Sequence, residues 1–195
     1  MAFVIYYDSE LLPQLSSPAG KARAEWYGAG GERPLAFFDG TSRSPQITLP
    51  DSFYPVYRDM IDAARTRKTM LEMRIDSAAI DSSRLTVRLV ITPTDSSADT
   101  ITTLRLVAIV FEDSIPYYSI LRADTFYSPM TVRTVIGDSF GIPLRLRFGQ
   151  DYDTVLSTPV PDWNPNRTGI AVTVQNFGSR AVLQTAVKWR INQED

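Results

Sequence analysis

The chain has 195 residues, with 20 basic and 22 acidic side chains for a net charge of −2, and it contains neither histidine nor cysteine. That absence excludes Ser-His-Asp and Cys-His triads, thiol–disulfide exchange and zinc sites of the usual Cys/His kind. What is left for chemistry is carboxylates, Lys, Tyr, Ser/Thr and oxygen-built metal sites. With no dominant basic patch, the charge argues against a nucleic-acid partner. The apolar share of 44% is that of a globular chain, which at this length buries about 70% of its unfolded surface.

No stretch reaches the ~18 apolar residues of a membrane helix. The start, Met1 to Asp8, is apolar but lacks the basic region of an export signal. An exported chain seen in its mature or shortened form would read the same, so a membrane link is expected only through a processed or absent anchor.

Phe3 to Tyr7 is a continuous apolar run with the pattern of a strand covered on both faces. Ser17-Pro18 reads as a helix start, with Ser17 as N-cap and Pro18 in the first turn, and Gly28 as the stop. Ala22, Trp26 and Tyr27 are expected to face inward from this helix. Leu35 to Phe38 is a short apolar run closed by the turn signal Asp39-Gly40. Asp51 or Ser52 can cap a second helix, in which Phe53, Val56, Tyr57, Met60, Ile61 and Ala64 follow amphipathic spacing. Strand, helix, strand, helix in this order is an α/β pattern.

From Thr69 the period changes to two. Strands are expected at Met70–Ile75, Leu85–Ile91, Ile101–Phe111, Val132–Ile136, Leu144–Phe148, Ile170–Gln175 and Val182–Ile191. Prolines 116, 129, 143, 159, 161 and 165 fall in the loops between them. Such spacing predicts an antiparallel sandwich of immunoglobulin-like architecture. The fold class is therefore α+β, with residues 1–67 forming the mixed segment and residues 68–195 the sandwich.

Two stretches carry a resemblance. Trp26-Tyr27-Gly28 through Gly30-Gly31-Glu32-Arg33-Pro34-Leu35-Ala36-Phe37-Phe38-Asp39-Gly40 resembles the part of a thioredoxin fold that runs from its third helix through the cis-proline loop into the next strand. Leu106 to Ile115, Tyr127 with Val132-Arg133, Trp163, Val172 to Asn176 and Ala181 to Ala186 resemble the C-terminal sandwich of the bacterial twenty-eight-kilodalton outer-membrane lipoprotein family. In that family a thioredoxin-like domain precedes the sandwich.

The resemblance implies a partial thioredoxin-like α/β segment at 1–67, with Arg33 and Pro34 in a cis-proline loop, a short strand near Ile47 and a final helix at 53–67. It also implies a cell-envelope or extracellular location in a bacterium. Ser128, Pro129, Met130 and Thr131 stand where members often carry histidines. The half of a thioredoxin fold that bears Cys-x-x-Cys has no counterpart here. Its missing central strand would leave Phe3–Tyr7 and Leu35–Phe38 with open edges, which favours self-association or a protein partner.

Candidate sites follow from residue type. Asp151 with Asp153, and Asp95 with Asp99, are carboxylate pairs without the spaced pattern of a calcium loop, so solvated loop carboxylates are the expectation and no metal is assigned. Glu112 and Asp113 are adjacent on a strand and point to opposite faces, which does not suit paired acid–base work. Arg133 is placed to pair with Glu112 or Asp113 and fix strand order.

Tyr117, Tyr118, Tyr127 and Trp163, with Phe126, fall in loop-like segments. They are either plugs that close the sandwich ends, the use the architecture favours, or rings exposed for binding. No catalytic residue and no cofactor is assigned. The expected role is a non-catalytic one in protein interaction or surface attachment. The alternatives are a piece of a thioredoxin-like redox protein whose Cys-x-x-Cys half lies upstream, and a carbohydrate-binding module using the aromatics.

Overall fold

The computed structural model describes residues 5–6, 12–29, 36–45, 53–119, 122–161 and 163–191. Arg33, Pro34, Ile47 and the capping candidates Asp51 and Ser52 lie outside them.

The first helix, α1 (Pro18–Tyr27), begins and ends on the residues its sequence signals. Ser17 is extended and its side chain accepts a 3.1 Å bond from the Gly20 amide, while Gly28 takes the left-handed conformation at φ 76°. It is followed by β1 (Phe37–Phe38) and β2 (Ser42–Arg43), an antiparallel pair around the Asp39-Gly40 turn. Next comes α2 (Phe53–Arg65), in which Phe53, Val56, Tyr57, Met60, Ile61 and Ala64 are half-buried and none is fully buried.

Then come β3 (Leu71–Asp81), β4 (Arg84–Pro93), a 3-10 turn at Ser96–Thr100, β5 (Leu104–Glu112), β6 (Ile115–Ser119), β7 (Asp124–Ser128) and β8 (Thr131–Ile136). The chain continues through β9 (Ile142–Pro143), β10 (Tyr152–Pro159), β11 (Thr168–Asn176) and β12 (Val182–Lys188).

One sheet runs β10-β4-β3 and the other β12-β11-β5-β8, with β9 extending the edge of β5, and every pairing is antiparallel. They meet face to face. Leu85, Val87, Leu89, Ile91 and Leu156 of the first sheet share one buried cluster with Leu106, Ala108, Val110, Ile170, Val172 and Val174 of the second. At the margin where β3 meets β12, Thr69 Oγ1 donates to the Leu183 carbonyl (3.2 Å) and Gln184 Nε2 to the Leu71 carbonyl (3.0 Å).

Strand β5 explains the N-terminal region. Leu106, Ala108 and Val110 face the core between the sheets, but Val107 and Ile109 on its other side are buried as well. A strand apolar on both faces needs a second cover. Here α1 and residues 5–6 supply it: Val107, Ile109, Val132 and Val135 pack against Tyr6 and Ala19. Each such side chain contributes about 1.5–3 kcal/mol when fully buried. Ile5 also bridges Thr131 in parallel, through Ile5 N to Met130 O (3.1 Å) and Val132 N to Ile5 O (3.1 Å).

Several elements differ from the sequence expectation. Leu144–Phe148 alternates in burial but is not a strand, because β5 begins at Leu104. Once Leu144 N has bonded Leu104 O (2.9 Å), that edge has no further residue to pair. Ile115–Ser119 and Asp124–Ser128, expected as loop, pair as the β6–β7 hairpin, since Pro116 is tolerated at the margin of a two-stranded ladder. Asp153 lies within β10 rather than in a loop. In α1 the buried residues are Gly20, Arg23 and Ala24, while Ala22, Trp26 and Tyr27 are half-buried.

Candidate functional site

Among the described residues the β6–β7 hairpin pairs only within itself. Its register places Pro116 opposite Tyr127, Tyr117 opposite Phe126 and Tyr118 opposite Thr125. Residues opposed in an antiparallel ladder share a face, and alternate residues along a strand share it too. One face therefore carries Tyr117 and Phe126, half-buried with ring centroids 6.0 Å apart, and Arg122 lies 5.8 Å over Phe126. The other carries Pro116, Tyr118, Thr125 and Tyr127. On it Tyr118 is 56% and Tyr127 64% exposed. Tyr118 and Tyr127 are thus exposed rings rather than plugs, while Tyr117 and Phe126 are half-buried against each other.

The hairpin's base is anchored. Ser114 turns the chain out of β5 at φ 56°. Asp113 Oδ1 accepts from the Met130 amide (3.4 Å), and the Ser128 and Thr131 hydroxyls share a buried 2.8 Å bond. Arg133 forms the ion pair expected of it, with Nε 3.3 Å from Glu112 Oε2; the two side chains are 24% and 14% exposed. It also donates to the Gln14 carbonyl (2.8 Å) and lies 5.8 Å over the Trp163 ring. Trp163 is thus apart from the tyrosines, half-buried against the core and beside Pro18 and Arg133. The four aromatics do not converge on one site.

The carboxylates considered for calcium are engaged internally. Asp153 pairs with Arg88 (2.7 Å), which holds its carboxyl below the usual range and raises the Arg88 guanidinium. Asp151 accepts from Thr92 (2.7 Å) and Asp99 from the Phe148 amide (2.5 Å). Asp95 caps the 3-10 turn; bonds from the Ser97 amide and hydroxyl lower its pKa. Among the described residues no group of three metal-ligating side chains occurs, and no helix is long and apolar enough to cross a membrane.

Sequence reasoning missed Arg23. It is 2% exposed, and its guanidinium donates to Tyr6 Oη (2.9 Å), Gln175 Oε1 (2.9 Å), the Ser139 carbonyl (3.4 Å) and Tyr27 Oη (3.5 Å). Gln175, also buried, completes the set by donating to Tyr27 Oη and the Arg180 carbonyl, both at 2.7 Å. Trp26 stacks on Phe177 (5.2 Å, 11°) and meets Phe140 edge-on, with Arg23 and Arg180 each 5.5 Å from its ring. Burial raises the Tyr6 phenol above its ordinary value, against the opposing pull of Arg23. These residues form a clasp that binds α1 to the sandwich.

The Asp39-Gly40 turn tightens the clasp. Val182 N donates to Asp39 O (2.9 Å), and a Cβ on Gly40, at φ 72°, would lie 2.0 Å from the Arg180 carbonyl oxygen.

No family model matches the chain, and no curated protein matches it. Among solved structures, HBP35 of Porphyromonas gingivalis superimposes with a TM-score of 0.70 at 10% identity, over 94% of this chain and 61% of that one. The likeness is one of fold, and it agrees with the β-rich, antiparallel build of this chain. The chain spans 61% of the length of that neighbour. A β-glucosidase from Kluyveromyces marxianus matches with a TM-score of 0.34 at 12% identity, over 62% of this chain and 14% of that one. β-Glucosidase 3B from Thermotoga neapolitana matches with a TM-score of 0.30 at 18% identity, over 63% and 16%.

Proposed function

We propose that this chain is a non-catalytic protein of the bacterial cell envelope that works by protein interaction or surface attachment, through the outer face of the β6–β7 hairpin. The observation that carries the reading is the exposure of Tyr118 and Tyr127 on one face of a hairpin that pairs with no other strand among the described residues. Two rings carried by diagonal residues of a ladder, positions that stand roughly 7–8 Å apart, offer large, rigid contact area at little entropic cost. The partner is a protein of the same compartment or a second copy of this chain.

The finer fold reading is a partial thioredoxin-like segment before an immunoglobulin-like sandwich, of the kind found in twenty-eight-kilodalton outer-membrane lipoproteins. It is supported by the order α1, β1, α2 ahead of the two antiparallel sheets, and by a bacterial fold neighbour.

A photo-crosslinking residue placed at Tyr118 or Tyr127, and at Thr86 on the exposed face of β4 as control, tests the surface in the source cell. Adducts from the two hairpin positions and none from Thr86 are expected. Equal yields from all three positions, or none from the hairpin, would overturn the assignment.

A further inference from the structure

A groove of about 430 Å³ lies at the foot of the hairpin, lined by Asp113, Ser114, Asn166, Arg167, Trp189 and Arg190. It brings the β5–β6 corner together with the loop before β11 and the residues that follow β12. Its volume is within the range of small-ligand sites.

The aromatic wall is built from beneath. Gly169 leaves room for the Phe111 ring, whose Cζ would lie 2.4 Å from a Cβ at that position. Phe111, fully buried, then backs Trp189 in an edge-on contact (5.2 Å, 71°). Trp189 is held in place and still 47% exposed. An indole fixed in this way is a ready platform for the C–H face of a pyranose ring.

The polar walls carry two cations and one carboxylate. Asp113 is already occupied, accepting from the Ser114 hydroxyl (3.2 Å) and the Met130 amide (3.4 Å). Arg167 is pinned by a bond from Nη1 to the Ser114 carbonyl (3.2 Å), which leaves the rest of its fork available. Arg190 has no hydrogen-bond, ion-pair or ring partner among the described residues. Ser114 and Arg190, which both line the groove, hold left-handed backbone, at φ 56° and 52°. Non-glycine residues seldom adopt that conformation, and it gathers at functional sites.

We infer that this groove binds an acidic saccharide. The pyranose ring rests on Trp189, its carboxylate is taken by the Arg190 and Arg167 guanidiniums, and its hydroxyls are met by Asn166. Paired guanidinium donors match a planar carboxylate, and a platform beside them selects a sugar over a simple anion. The site stands independently of the tyrosine face: it draws on different side chains and shares only the Ser114 corner.

The test is titration of the whole chain with a galacturonic acid disaccharide, its neutral galactose counterpart and acetate, followed by tryptophan fluorescence and calorimetry. The uronate disaccharide is expected to bind at least about tenfold more tightly than either control. Arg190→Gln, at an exposed side chain, should abolish that preference with the unfolding midpoint unchanged. Trp189→Phe should remove the fluorescence response while calorimetry still reports uronate binding. Equal affinity for uronate and acetate would reduce the groove to a simple anion site and overturn the proposal. So would equal affinity for the neutral disaccharide, no calorimetric signal with uronate, or an unchanged preference in Arg190→Gln.

Discussion

Two groups of aromatic rings in this chain are put to opposite uses. Around Arg23, the rings of Trp26, Tyr27, Phe140 and Phe177 close on one another, and the hydroxyls of Tyr6 and Tyr27 end on internal partners. On the outer face of the hairpin, Tyr118 and Tyr127 have neither a ring contact nor a hydrogen-bond partner among the described residues. Both groups hold tyrosines, and what separates these is whether the hydroxyl is satisfied inside the fold. A buried phenol or indole needs such a partner. Where one is supplied the ring holds the structure together, and where it is not the ring is left for something outside.

The comparison breaks most readily at Arg23. Arg23→Leu removes the donor to Gln175 and Tyr6 and leaves a buried amide oxygen unpaired. A loss of about 3 kcal/mol is expected in urea unfolding, and a loss under about 1 kcal/mol would show that apolar packing alone holds α1. Gly40→Ala meets both a left-handed φ and a backbone oxygen, so a cost of about 2 kcal/mol is expected. That loss should fall on hydrogen-exchange protection at Val182 before it reaches the strands of the core. A double-mutant cycle on Glu112→Gln and Arg133→Met should return a coupling of about 1 kcal/mol for this partly buried pair.

The pH dependence sharpens the same contrast. Tyr6 has its pKa raised in the folded state, so its contribution is fully present below the ordinary phenol value of about 10 and is lost as pH rises past it. Urea midpoints should fall as pH rises past about 10, and Tyr6→Phe should flatten that decline. Asp153 has the opposite sign. Its pKa is lowered by Arg88, so its small contribution is present above the ordinary carboxylate value and disappears as pH falls below it.

Much of this architecture was legible in the sequence because local rules carried it. Ser17, Pro18 and Gly28 fix α1 through capping that depends on neighbours only. The period-two runs of β3 and β4, with the closely spaced strands after them, announce a sandwich. What stayed hidden depends on distant partners. The buried role of Arg23 is set by Gln175, 152 residues away, and no helical pattern reveals it. Leu144–Phe148 has the alternation of a strand, but whether it pairs is decided by where β5 begins. Tyr118 and Tyr127 sit beside Pro116 in a stretch that reads as loop, and only the cross-strand register shows that they share an exposed face.

The most direct test of the account pairs two measurements on the Tyr118→Ser, Tyr127→Ser double variant: its unfolding midpoint, and its retention by an envelope fraction of the source cell. The account predicts stability within about 0.5 kcal/mol of the parent together with loss of retention. A clear fall in stability with retention intact would contradict it and return both rings to the role of plugs.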